Sequence, residues 1–242
     1  MDRELIKKRR YVERQKTAPW LQNKEKRVTI TLIGVGTIGS WTSLALSRAF
    51  SGREKHNMVL IDKDIVEDIN LAGQCYSIYD ISRTKVAAMQ KRIKKESPLC
   101  EVNIIEDNYS EDYKIIKEEN DVSIVIVGTD SMESRKQIVE SLTPESYDLI
   151  VDGRLSPEIM EVITIRNEEQ RAYYLENYIY SKEELEEPLC SFKSTSHTGM
   201  MIGGIITNIV TNFVTNVDND IEITTIPEKL NVNFKTMEYD LR

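Results

Sequence analysis

Val28-Thr-Ile-Thr-Leu-Ile-Gly34-Val-Gly36-Thr-Ile-Gly39 is the stretch whose reading decides the fold. The residues before Gly34 are apolar or β-branched, so they read as a buried strand that ends at the first glycine, and Trp41 to Phe50 reads as the helix beyond. Gly34, Gly36 and Gly39 together permit a tight turn, close approach of the backbone to a phosphate and close helix packing. Free N–H groups at the start of the helix, reinforced by its dipole, favour an anion there. A second apolar strand, Met58 to Ile61, delivers Asp62, 23 residues after Gly39, where an acid can bond a ribose hydroxyl. That much describes a nucleotide-binding unit and leaves NAD and ATP both open.

Beyond these elements, strand and helix patterns alternate. The spacing predicts a helix over Ser82 to Glu96, a strand over Glu101 to Glu106, a helix over Asp112 to Glu119, a strand over Val122 to Val127, a helix over Ser131 to Ser141 and a strand over Leu149 to Asp152. After Pro157 the pattern changes to a strand around Met160 to Ile165, a polar loop through Glu187, an uncharged helix, and strands near Ile221 to Thr225 and Leu230 to Met237. The expected fold is α/β, a Rossmann-like doubly wound, mostly parallel sheet extended by antiparallel C-terminal strands. Residues 1–20 read as an N-terminal basic helix or arm, helical over Arg3 to Lys16 and ended by Pro19. Residues 21–242 read as a single domain, with a nucleotide half over 27–155 and a crossover loop, helix and strands over 156–242.

Three further segments narrow the chemistry: Ile61-Asp-Lys-Asp-Ile-Val-Glu-Asp-Ile-Asn70-Leu-Ala-Gly73-Gln74, then Lys85-Val-Ala-Ala-Met89, then Gly128-Thr-Asp130-Ser-Met-Glu-Ser-Arg135. This ordered set resembles the ThiF/MoeB (HesA/MoeB/ThiF) family of ubiquitin-activating-type adenylating enzymes. That family carries D-x-D-x-V-x-x-x-N-L-x-R-Q, a lysine downstream, and an aspartate after the fourth strand followed by an arginine. The leader Arg10-Tyr-Val-Glu-Arg14-Gln15 and the closing Leu230-Asn-Val-Asn-Phe-Lys-Thr-Met237 carry the resemblance almost end to end.

The resemblance implies an adenylation domain that uses ATP and Mg²⁺. Gly34, Gly36 and Gly39 would hold phosphate and Asp62 the ribose. Asn70 and Gln74 would meet phosphate oxygens or order the loop, Lys85 would meet the α-phosphate or leaving group, and Asp130 would bind the metal. Lys85, Asp130 and Cys190 are then the catalytic candidates, the cysteine as acceptor of the activated acyl group, with Lys193 or His197 to lower its pKa. The acid would be the C-terminal carboxylate of a ubiquitin-like protein, a sulfur carrier or a peptide, and the protein a homodimer. On pattern alone, Asp62 and Asp64 also fit a solvated strand-end pair, Lys85 one of several surface cations, and Asp130 an N-cap for the helix at Ser131. Cys190 also fits a packed loop thiol, and Cys75 and Cys100 read as core thiols.

Two departures stand out. Gly73 occupies the place of the family's arginine, and a fork of guanidinium donors is not replaced by a hydrogen atom. Arg154, Arg83, or Arg10 or Arg14 from a second protomer are the candidates to supply that charge. A chain without it also fits a catalytically impaired partner-binding or scaffold subunit. With only Cys75, Cys100 and Cys190, a four-sulfur zinc site cannot be built.

Composition bounds the remainder. The chain has 242 residues, 40% hydrophobic and 30% charged, enough for one sizeable core. A net charge of −8 argues against nucleic acid as a partner. Three scattered cysteines and the absence of an apolar run at the N-terminus point to the cytoplasm. Ser194 to Val217 carries no formal charge and is long enough to span a bilayer. A polar stripe of Thr207, Asn208, Thr211, Asn212, Thr215 and Asn216 opposite Ile202, Ile205, Ile209 and Phe213 predicts instead a buried or interface helix, with no membrane.

Overall fold

The computed structural model describes residues 18–21, 25–53, 55–98, 100–110, 113, 115, 117–156, 158–180 and 196–242. Eight strands form one sheet: β1 (Val28–Ile33), β2 (His56–Ile61), β3 (Glu101–Ile105), β4 (Val122–Val127), β5 (Leu149–Leu155), β6 (Ile159–Ile165), β7 (Lys229–Asn233) and β8 (Glu238–Leu241). Their order is β3-β2-β1-β4-β5-β6-β7-β8. Strands β1 to β5 run parallel, and β6, β7 and β8 are added antiparallel. The helices are α1 (Thr37–Ala49), α2 (Lys85–Glu96), α3 (Met132–Ser141), α4 (Glu168–Asn177) and α5 (Ser196–Asn219).

The apolar runs of β1 and β4 follow from burial on both faces of the sheet. On one face Ile38 and Leu46 of α1, Val86 and Met89 of α2 and Ile202 and Ile206 of α5 pack with Ile30, Leu32 and Ile124. On the other, Ile138 and Val139 of α3 and Tyr174 of α4 pack with Ile33, Val125 and Ile150. The chain leaves β1 toward β2 and β3, then returns to β4 on the opposite side of β1. That reversal opens a crevice at the carboxyl ends of β1 and β4, the place where α/β sheets bind ligands.

Helix α5 is long and apolar enough to cross a membrane by length and composition. In this fold it is a core helix, with Ile202, Ile206, Val210 and Val214 fully buried. Its expected polar stripe is only partly open to solvent: Asn208 is exposed and Thr207 and Asn212 are half-buried, but Thr211 and Thr215 are buried, and their hydroxyls donate to the carbonyls of Asn208 (3.0 Å) and Thr211 (2.7 Å). The buried pair Arg53–Asp218, Nη1 to Oδ2 2.7 Å, pins the far end of α5 just beyond the end of α1.

Several boundaries differ from the sequence reading. Helix α1 begins at Thr37, within the glycine stretch, and not at Trp41. Helix α4 occupies part of the segment expected as polar loop. No strand forms over Ile221 to Thr225, because the Asn216 amide captures this segment: its Oδ1 accepts from the N–H groups of Ile223 (2.9 Å) and Thr224 (3.0 Å). The last expected strand is a hairpin, broken at Phe234 to Met237, where Met237 takes φ 57°. Between Asp112 and Glu119 the described residues are not helical. The expected helix over Arg3 to Lys16 lies outside the described residues.

Candidate functional site

The site begins where β1 ends. Gly34 has φ +88°, and a Cβ there would lie 2.8 Å from the Gly128 carbonyl carbon and oxygen. A Cβ on Gly39 would lie 2.0 Å from the Gly34 oxygen, so the fold itself excludes a side chain at both positions. Gly36 differs. The nearest atom to its would-be Cβ is Gln74 Nε2 at 3.9 Å, so the space beside it is open toward that amide. Gly36 precedes α1 with no side-chain cap on the helix, and Ser40 N–H is the donor to its carbonyl (3.0 Å). The N–H groups of Thr37, Ile38 and Gly39 therefore have no acceptor within the helix and point out of its positive end.

One rim of the crevice comes from β2 and α2. Asp62 grips the turn: its Oδ2 accepts from Val35 N–H at 2.6 Å and its Oδ1 from Asp64 N–H at 2.8 Å. Burial pushes the Asp62 carboxyl above its ordinary value, against the pull of those two N–H groups and of the Lys85 charge. Lys85 is the first residue of α2, and its side chain is 9% exposed. Its ammonium donates to Asp64 Oδ2 at 2.7 Å. Asp64 was read from the sequence only as part of a strand-end pair; here it is the carboxylate that holds the candidate lysine.

The opposite rim is the loop after β4. Gly128 N–H donates to the Ile33 carbonyl (2.8 Å), which sets Thr129 and Asp130 against the turn. Asp130 is exposed. The cap of α3 is Ser131, whose hydroxyl accepts from Ser134 N–H at 3.1 Å, so Asp130 does not serve as that helix's cap. Arg135 holds the loop from beneath, donating to the Thr129 carbonyl, to the Gly153 carbonyl (3.0 Å) and to Asp152 Oδ1.

Arg154 is already committed to other partners, which removes one of the candidates for the charge missing at Gly73. Its Nε donates to Asp152 Oδ2 (2.7 Å), Nη1 to Glu161 (3.0 Å) and Nη2 to the Tyr178 carbonyl (2.7 Å), all within a buried cluster. Residues 152 and 154 alternate along β5 onto the same face, a signal the sequence carried. Arg83 is exposed on the loop before Lys85, with Nε 3.4 Å from the Tyr79 carbonyl. Arg10, Arg14, Cys190 and Lys193 lie outside the described residues.

The Gly73 loop is anchored to α1 by Trp41, whose indole N–H donates to the Gly73 carbonyl at 2.9 Å. Asn70 Oδ1 accepts from Glu67 N–H (2.9 Å) and so orders this loop. Gln74 Oε1 and Thr129 Oγ1 are buried without a hydrogen-bond partner, one on each rim of the glycine turn. Buried polar atoms are seldom left so, and these two lie beside the glycine turn. Cys75 and Cys100 are buried, and burial pushes their thiols up to about 11 and about 12, which suits packing and not nucleophilic attack. Among the described residues no group of three or more His, Cys, Asp or Glu could hold a metal. An apolar groove of about 280 Å³, lined by Ile205, Ile209, Leu230, Tyr239 and Leu241 among others, shares no residue with this crevice.

The sequence profile of the ThiF family matches residues 9–241. The chain is 34% identical over 88 residues to a tRNA threonylcarbamoyladenosine dehydratase of Bacillus subtilis, a match covering 36% of this chain and 33% of that protein. It thus spans about a third of that relative's length. Escherichia coli MccB with MccA-N7isoASN superposes with a TM-score of 0.69 at 16% identity, over 92% of this chain and 66% of that one. The E. coli tRNA N6-threonylcarbamoyladenosine dehydratase TcdA, solved with ATP, gives a TM-score of 0.65 at 16% identity, over 91% of this chain and 98% of the other. At these identities the two structures establish the fold.

Proposed function

This chain belongs to the ThiF family, and from that premise we propose that it activates a carboxylate with ATP to give an acyl adenylate. The observation that carries the reading is the crevice itself, where an uncapped helix start, a gripped acid, a buried lysine and two unpartnered polar atoms surround one glycine turn. ATP solved in the TcdA neighbour supports the choice of nucleotide.

The N–H groups of Thr37, Ile38 and Gly39 receive phosphate oxygens, and Gln74 adds a polar contact at the open side of Gly36. Asp62 keeps lone pairs for the ribose hydroxyls. Asp130, exposed and unshared, fits Mg²⁺, which takes one or two carboxylates with phosphate oxygens and water and supplies divalent charge to the phosphates. A carboxylate oxygen attacks the α-phosphorus while the bond to pyrophosphate breaks and its electron pair leaves with pyrophosphate. Lys85 neutralises the charge that develops there. The attacking acid is already ionised at neutral pH, so no general base is required.

The acid we assign is a polypeptide's C-terminal carboxylate, on a ubiquitin-like protein, a sulfur carrier or a peptide. Ile78 and Tyr79, 67% and 85% exposed on the loop before Lys85, offer apolar surface beside the crevice for another chain. We place a second copy there, as a homodimer in which Arg10 or Arg14 supplies the charge missing at Gly73, and the reaction in the cytoplasm. Cys190 is the acceptor to test for a subsequent thioester.

Exchange of labelled pyrophosphate into ATP tests the reading. Exchange that depends on a candidate acid and on Mg²⁺ is expected, with tRNA bearing threonylcarbamoyladenosine, the substrate in the relatives' names, as the competing acid. Gly73 favours a second reading, a partner-binding subunit impaired in catalysis. That protein would form a stable complex with another chain and give no exchange with any acid.

A further inference from the structure

Asp64 belongs to no step of the proposed reaction, yet it is the residue that occupies Lys85. We infer that Asp64 is a latch on Lys85: its carboxylate holds the ammonium aside in the free protein and yields it when a triphosphate enters. The inference rests on the ATP reading of the crevice.

The backbone around the pair is already fixed. Lys85 N–H donates to the Asp64 carbonyl (2.8 Å), Val66 N–H to the Arg83 carbonyl (2.8 Å) and Ser82 N–H to the Val66 carbonyl (2.9 Å), while Ile65 and Thr84 form an antiparallel bridge. Asp64 N–H is held in turn by Asp62, which grips the glycine turn. Only side chains remain to move. The two partners are unequal: the lysine side chain is 9% exposed and its partner carboxylate 52%. A carboxylate this open to water loses little when its ammonium is taken, because solvent replaces the partner. The buried ammonium, by contrast, requires an anion close by.

A phosphate at the turn must therefore compete with Asp64 for Lys85. The latch lowers nucleotide affinity by the strength of a half-exposed ion pair and keeps Lys85 neutralised while the crevice is empty.

Calorimetric titration of ATP with Mg²⁺ into the full chain tests this with Asp64→Asn, Lys85→Met and the double variant. The Asn side chain keeps an acceptor in place and removes the charge. D64N is expected to bind ATP about two- to fivefold tighter, the range an exposed pair allows. In the K85M background D64N is expected to change affinity by less than about twofold, because groups acting through one contact are not additive. Unchanged or weaker binding by D64N overturns the latch. An equal gain in both backgrounds also overturns it, since simple relief of repulsion between Asp64 and ATP would act without Lys85. Failure of the wild-type chain to bind ATP sinks the nucleotide reading itself, whereas a failed latch with ATP bound leaves that reading standing.

Discussion

Two clusters of charged and polar side chains lie a strand or two apart in this sheet, and they are satisfied to different degrees. Around Asp152, which is fully buried, Arg135, Arg154 and Tyr174 occupy the carboxylate, and Arg154 also reaches Glu161 and the Tyr178 carbonyl. Burial pushes the Tyr174 phenol, 2.9 Å from Asp152, above its usual range. At the glycine turn, Gln74 Oε1 and Thr129 Oγ1 have no partner, Asp130 is exposed and the helix start is uncapped. The first cluster has spent its valences on the fold; the second holds them in reserve. Arg135 joins the two, since it binds Asp152 and the Thr129 carbonyl at once.

The contrast can be broken from either side. Asp152→Ala leaves two guanidiniums facing each other without their carboxylate, and chemical denaturation is expected to register a loss of about 3–5 kcal/mol. A loss below about 1 kcal/mol would mean that the cluster does not hold β5. Lys85→Met is expected to lower pyrophosphate exchange by about 10²–10³-fold, the usual effect of removing one transition-state donor, with the unfolding midpoint nearly unchanged. A large drop in stability together with exchange would place Lys85 with the structural cluster. Gly36→Ala is the mildest change. The variant is expected to stay within about 1 kcal/mol of wild-type stability and to bind ATP about tenfold more weakly, by calorimetry. If stability fell and affinity held, the open space beside Gln74 would be a feature of packing alone.

How far the sequence foretold this depended on whether a segment's role was local. Strands β1, β2 and β4 were legible because burial on both faces writes an unbroken apolar run between turn residues. Helix α4 was not, since Glu168-Glu-Gln-Arg-Ala-Tyr-Tyr-Leu-Glu-Asn177 buries only Tyr174 and so shows no apolar stripe. Its one local sign was Asn167, whose side chain accepts from Gln170 N–H at 2.9 Å. The start of α1 was hidden because Thr37 to Ser40 has a loop's composition, and the helix forms there because α5 and the sheet pack over it. Asp62, Lys85 and Asp130 were singled out through their order along the chain, and the fold brings Asp62 and Lys85 close enough for the lysine charge to act on the carboxyl. The Asp64 contact to Lys85 spans 21 positions and depends on the zipped loop between them, so no local pattern foretold it. Arg154 was misjudged because charge alone was counted, although Asp152 stood two residues away on the same strand face.

A tryptophan ring engages each end of helix α1: Trp41 belongs to the helix, and Trp20, in the Pro19–Leu21 turn, packs against its last residues. Trp20 donates its indole N–H to the Ala49 carbonyl (3.0 Å) at the distal end, and Trp41 reaches the Gly73 loop beside the crevice. These are the chain's only two tryptophans. Replacing Trp20 with phenylalanine leaves one tryptophan, selectively excited at the red edge of the absorption band and tied by a single hydrogen bond to the loop that carries Gln74. The molecule thus contains its own optical gauge of that loop, readable on the millisecond scale in a stopped-flow mixer without any attached dye.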